Sequence, residues 1–248
     1  MNSSSIMAQF PGFVNARIPQ DVFVFFDDFL TGSMSATDDA AKWEYTAVGG
    51  DGGTYVIGNG TDNTRDNAGG FALITPVASA DDGVNLQCPG KSFHLEDGNA
   101  LYFEARVNCQ DVSNNEFFIG MSISDEEIIT TGLADGFGFI LAAGVLSAVS
   151  AKDTNAKTVG TDITETDDDW IRLAFFWDGS NELIAYVDTN DDGNFDKEIY
   201  RFKADVTADY FCDNMMLTPT IEVITGATAE ADVLWVDYVY CAQTRYHE

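Results

Sequence analysis

A period of two governs this chain. In Leu101-Tyr-Phe-Glu-Ala-Arg-Val107, Leu101, Phe103, Ala105 and Val107 fall on one side, while Tyr102, Glu104 and Arg106 fall on the other. Such alternation predicts a half-buried antiparallel strand. The same theme recurs at 116–124, 137–141, 170–177, 183–188, 198–202, 217–225 and 233–241, in runs rich in aromatic and β-branched residues. Gly, Asn and Asp clusters separate the runs, and the glycine-rich stretch from Gly49 to Gly70 reads as a loop holding one further strand around Tyr55 to Ile57. Helical periodicity is scarce. About a dozen strands are expected, enough for an all-β fold of two packed antiparallel sheets.

The chain has 248 residues, a length that one sandwich domain accommodates. Its 41 acidic residues against 12 basic ones give a formal charge of −29, which repels phosphate backbones and anionic lipid. Nucleic-acid partners and membrane binding are therefore not expected, and no apolar run reaches the roughly 18 residues of a spanning helix. The first twenty residues lack the early basic cluster and apolar core of a secretory signal, which predicts synthesis and assembly in a cytoplasm. Cys88, Cys109, Cys212 and Cys241 are widely spaced without a CxxC, so free buried thiols are expected in preference to zinc, redox or disulfide roles.

Charge divides the chain unevenly. Residues 1–20 contain no Asp or Glu, and every acidic residue lies from Asp21 onward. Ser-rich sequence, Pro11, Gly12 and Pro19 disfavour a helix there, whereas Phe10, Phe13, Val14 and Ile18 are too apolar for a solvated tail. The organisation expected is an extended N-terminal arm over 1–20 and a sandwich domain over 21–248. The arm's apolar residues either dock on a partner or pack back on their own domain.

Four segments carry a family resemblance. The run from Leu133 to Leu141, with Asp135-Gly136 at its head, resembles the strand entry of the legume-lectin and laminin-G group. The pair Trp170 to Asp178 and Leu183 to Asp188, and the terminal Trp235-Val-Asp-Tyr-Val-Tyr240, are similar to strands of the same sandwiches. The resemblance covers about the last two thirds of the chain and implies a concanavalin A-like or laminin-G-like jelly roll. A narrower likeness joins Phe26-Asp-Asp-Phe29, the strand from Gly69 to Ile74, the turn Asp81-Asp-Gly83 and Phe103 to Val107. Together these resemble capsid decoration, or cement, proteins of tailed bacteriophages. That likeness implies a structural virion subunit on the capsid exterior, assembled in the host cytoplasm, often a homotrimer, with the major capsid protein as partner. The alternative is a lectin-like carbohydrate-binding module, with a glycan as ligand and calcium as its candidate cofactor.

Asp188-Thr-Asn-Asp-Asp-Gly-Asn-Phe-Asp196 is the sharpest local motif. Asp188, Asn190 and Asp192 stand at positions one, three and five of an EF-hand-like loop, with Gly193 at the turn and Asn194 and Asp196 at positions seven and nine. Ile199 occupies the twelfth position, where a bidentate glutamate is needed, and Glu198 comes one residue early. A solvated acidic hairpin is the competing account. Asp135 matches a sugar-contacting aspartate of the lectins, but the accompanying metal-binding pattern is missing, and a turn entering a strand is the favoured account.

Glycoside hydrolysis requires two carboxylates flanking the sugar bond. Glu165, Asp167 and Asp169 have alternating spacing, yet acidic and polar neighbours make the segment a loop. With His94 and His247 as the only histidines, no triad stands out, and the expectation is a binding protein that is not an enzyme. Trp43, Tyr45, Tyr55, Trp170 and Trp177 are candidates for a sugar-stacking platform, with core packing as the alternative.

Overall fold

A computed structural model describes residues 22–245, apart from 30–33, 36–41, 51, 59–69, 91, 125–126, 165, 196, 205–208, 214 and 227–231. The expected arm, with Phe10, Phe13, Val14 and Ile18, lies outside the described residues. The described chain is all-β and forms two sheets.

Sheet 1 runs in the order β14 (Lys197–Lys203), β13 (Glu182–Asp188), β12 (Trp170–Trp177), β7 (Leu101–Cys109), β16 (Leu234–Thr244), β5 (Phe71–Pro76) and β4 (Gly53–Gly58). β1 (Val22–Asp27) pairs with β16 beyond the part that β5 occupies. Sheet 2 runs β11 (Asn155–Thr164), β10 (Val145–Lys152), β9 (Gly136–Ala142), β8 (Asn115–Ser122), β15 (Thr218–Thr225), β6 (Gly83–Gln87), β3 (Trp43–Val48) and β2 (Met34–Ser35). Pairing is antiparallel except between β2 and β3. Strands far apart in sequence lie side by side, as with β7 and β16 or β8 and β15, because the chain repeatedly crosses between sheets. This is the jelly-roll sandwich expected from the sequence.

Alternation decides what enters the space between the sheets. Phe103 of β7, Phe175 of β12, and Phe137 and Phe139 of β9 all point inward and are fully buried. The Phe175 ring centroid lies 4.6 Å from Phe139 and 5.2 Å from Phe137, so these rings join the two sheets. Each buried ring of this size contributes on the order of 2–3 kcal/mol. Cys109, Cys212 and Cys241 are buried and Cys88 half-buried, all four as free thiols. Burial pushes the Cys88 thiol up to about 11 and that of Cys212 up to about 12.

One carboxylate anchors the start of the domain. Asp27 is 1% exposed. Its Oδ1 accepts from the Phe29 backbone N–H at 3.0 Å and pairs with Lys42 at 2.8 Å; its Oδ2 accepts from Trp43 Nε1 at 2.7 Å. The Phe26-Asp-Asp-Phe29 element thus closes a buried polar knot beneath β1. Such a charge is tolerable only because both oxygens are met.

Candidate functional site

The outward residues of sheet 1 follow directly from its register. Glu104 on β7 stands opposite Tyr240 on β16 and Ala174 on β12, and Ala174 stands opposite Tyr186 on β13. One step along, Tyr238, Arg106, Arg172 and Asp188 form the next row. Phe26 on β1 faces Tyr240 and extends the aromatic side of the patch. Its ring centroid lies 6.1 Å from Tyr240 and 6.3 Å from Tyr238, and Tyr240 lies 6.0 Å from Tyr102. Phe26 is 50% exposed and Val24 beside it 48%, which is high for large apolar side chains.

Within this frame the polar groups are tightly organised. Glu104 accepts hydrogen bonds from the hydroxyls of Tyr102 and Tyr238, one on each carboxylate oxygen. Burial, followed by the nearby Glu104 carboxylate, raises both phenols well above the ordinary tyrosine value and keeps them protonated. Arg106 donates to Asp191 through Nε at 2.9 Å and to Asp237 through Nη1 at 2.7 Å. Its guanidinium carbon lies 4.3 Å from the Trp170 ring centroid, a stacked cation–π arrangement. Arg172 Nε donates to the same Asp191 at 2.9 Å. Burial works against the Asp191 charge, but the two guanidinium partners outweigh it and its pKa is lowered.

Sheet 2 presents a different outer face. Glu222 at the middle of β15 is fully buried, and the segment following β8 folds over it. Its Oε1 accepts from the Ile129 N–H at 2.8 Å and its Oε2 from Asn85 Nδ2 at 2.8 Å; the Ile128 N–H lies 3.0 Å from both oxygens. Ile128 and Leu133 then pack with Phe118, Val149 and Ala151 in a small outer core. Gly120 and Gly138, paired across β8 and β9, allow it: a Cβ on Gly138 would stand 2.3 Å from the Phe118 ring. Burial raises the Glu222 pKa against the opposing pull of its donors. Glu116 on β8 lies on the same outward face, diagonal to Glu222, and burial raises its pKa as well.

The residues expected from sequence are dispersed. Trp43 and Trp177 are core side chains, with Trp177 donating to the Glu96 carbonyl at 3.1 Å. Tyr45 and Tyr55 lean on each other at 5.3 Å beside the core. Of the five candidate platform aromatics, Trp170 alone reaches the sheet 1 face. The aromatics that do line it, Tyr238, Tyr240 and Phe26, with Tyr102 buried beneath them, alternate within their strands, and that spacing was the signal available for them. Asp135 is buried, and its Oδ1 accepts from the Asp153 N–H at 2.9 Å, so it holds a turn. Asp167 sits in an exposed turn and accepts from the Val112 N–H at 2.9 Å, while Glu165 lies outside the described residues. The Asp188 loop connects β13 to β14, with Asn190 and Asp192 exposed; Asp196 lies outside the described residues.

Neither a family model nor a curated protein sequence matches the chain. Solved structures do match over nearly its whole length. A protein of unknown function from Shewanella oneidensis MR-1 superposes with a TM-score of 0.60 at 15% identity, covering 92% of this chain and 91% of its own. An endo-1,3-beta-glucanase from Streptomyces sioyaensis matches with a TM-score of 0.58 at 14% identity, covering 91% and 98%. Peanut lectin matches with a TM-score of 0.56 at 10% identity, covering 92% and 100%. These likenesses establish the concanavalin-like jelly roll. They also correct the expectation that the chain is not an enzyme, because glycoside hydrolases share this fold. That expectation rested on finding neither carboxylates alternating along one strand nor a usable histidine, whereas register can also set carboxylates of neighbouring strands on one face, as it does Glu116 and Glu222.

Proposed function

We propose that the protein binds carbohydrate through the outer face of sheet 1. A pyranose ring offers a patch of C–H groups to an aromatic ring and a rim of hydroxyls to planar hydrogen-bonding groups. The row of Phe26, Tyr238 and Tyr240 next to Glu104, Arg106 and Trp170 supplies both on one face of the sheet. This juxtaposition is the observation that carries the reading. Fold-level kinship with a glucanase and a lectin is compatible with it and adds only analogy. Affinity electrophoresis in soluble β-glucans, backed by a glycan array, provides the test. Trp170→Ala and Tyr240→Ala are expected to lower binding at least about tenfold with unchanged circular dichroism, the loss of one stacking contact being worth about 1.4 kcal/mol or more. Equal binding by both variants and the parent rules out this face.

A second reading, a capsid decoration subunit, draws on a different observation. Val24 and Phe26 are half exposed on β1, the strand that follows the apolar segment 1–20, which holds no acidic residue and one basic one, Arg17. Phe10, Phe13, Val14 and Ile18 would then extend that strip onto the major capsid protein, with a homotrimer as the assembling unit. Deletion of residues 1–20 separates the two readings: glycan binding by the sheet face survives it, while capsid attachment is lost.

A further inference from the structure

The loop from β13 to β14 encloses a carboxylate, one oxygen of which has no hydrogen-bond partner among the described residues. Asp188, the last residue of β13, is fully buried. Its Oδ2 accepts from the Gly193 N–H at 2.9 Å, across the loop, which places the carboxylate inside the turn. Its Oδ1 is buried and has no hydrogen-bond partner among the described residues. The nearby cation, Arg172, stands 4.0 Å from Oδ2 and is engaged by Asp191 at 2.9 Å. Desolvation of this kind is unfavourable unless the oxygen is given a partner.

We propose that this loop binds a calcium ion, with Asp188, Asn190 and Asp192 as side-chain ligands and main-chain carbonyls completing the shell. The donors are all oxygen, as a hard cation requires, and neither histidine nor cysteine is among them. Asn190 Oδ1 accepts from the Asp192 N–H at 3.3 Å, and Asp192 Oδ1 accepts from the Asn194 N–H at 2.8 Å. Asp192 Oδ1 also accepts from Asn194 Nδ2 at 3.0 Å, so Asp192 would offer its other oxygen to the cation, whereas Asn190 Oδ1 keeps one acceptor site. Gly193 at φ +85° and Asp191 at φ +53° turn the chain back on itself between β13 and β14.

The shell is incomplete by the standard of a tight site, and this sets the affinity. Glu198 is held by Arg201 through both oxygens, each at 2.6 Å, and Ile199 follows it, so Glu198 does not close the loop as a bidentate ligand. Among the described residues no three acidic, histidine or cysteine side chains converge, so the Asn190 amide and backbone carbonyls carry part of the coordination. A dissociation constant on the order of 10⁻⁴–10⁻³ M follows, the range of weak calcium modules. The proposal does not rest on glycan binding. It does reach the sheet 1 face, because Asp191, which receives Arg106 and Arg172, sits between two of the ligands.

The test uses the full chain after chelator treatment and dialysis, without any sugar. Isothermal titration with calcium chloride is expected to give one site in the stated range, with magnesium chloride at equal concentration giving none. At tenfold the dissociation constant, calcium raises Tm by about 3–6 °C over the magnesium control. That control matters because any divalent cation screens a charge of −29. Asp192→Asn and Asn190→Ala alter exposed residues, so these variants fold, and each is expected to weaken calcium binding at least about tenfold. Asp188→Asn abolishes it. Equal responses to calcium and magnesium, or an unchanged calcium response in Asp192→Asn, overturn the proposal.

Discussion

The outer faces of the two sheets follow the same alternation and reach opposite ends. On sheet 2 the chain covers itself: the Ile128 and Ile129 backbone N–H groups converge on Glu222, and Phe118 lies over paired glycines. On sheet 1 the outward side chains tie to one another within the face, through Glu104 with two tyrosines and Asp191 with two arginines; Tyr102 is buried with Phe176 and Ile184, while Tyr238, Tyr240 and Trp170 stay half-buried and Phe26 exposed. A polar residue at an outward position is thus not by itself a surface residue. Its character depends on whether a loop brings donors to it.

The contrast is open to direct attack, beginning with the latch. Glu222→Ala leaves two backbone N–H groups and the Asn85 amide without their acceptor in a buried place, and is expected to cost about 3 kcal/mol or more. The shift of the urea midpoint measures it; a change under about 1 kcal/mol means that the segment is not held as described. Next in size, Gly138→Ala forces a Cβ into the Phe118 ring and the Ile119 carbonyl, an overpacking worth about 1–3 kcal/mol, whereas Gly90→Ala meets open space in that direction and costs strain alone at φ +85°. Increased proteolysis near Leu133 in Gly138→Ala accompanies the loss if the outer core opens.

On the open face the expected effects are smaller. Asp191→Asn removes the charge shared by Arg106 and Arg172 and is expected to cost about 1–2 kcal/mol at pH 7. Because the folded pKa of Asp191 is lowered, its stabilisation is present above the unfolded value of about 3.9 and is lost as pH falls through the depressed folded value. Chemical denaturation of parent and variant across that interval is expected to show their difference shrinking with acid; a constant difference places the effect in packing instead of charge. Smallest of all, Phe26→Ala changes stability by under about 0.5 kcal/mol, since the ring is half exposed already. A larger loss indicates that Phe26 supports the fold and is not reserved for a partner.

Several elements were legible before any coordinates. The run Trp170–Trp177 is a strand with the bounds read from its pattern, and the shared outward side of Tyr102, Glu104 and Arg106 holds. β10 and β11 were not individually legible, because Ser, Ala, Gly, Thr and Lys dominate them and their strand character comes from pairing with each other and with β9. The aromatic candidates divided for a similar reason. Trp43 and Trp177 are as aromatic as Trp170, and only the register of their strands turns them inward.

The sequence by itself determined where strands form and which residues within each share a side, since a two-residue period is a local property of the backbone. It also determined the acidic surface and the oxygen-rich turn after Asp188. Tertiary structure alone decided which sides became faces and which polar groups found partners. Arg106 meets Asp191 across 85 positions, and Glu222 meets Ile128 across 94. Such contacts depend on the order in which crossing strands assemble into sheets, and no local pattern encodes that order.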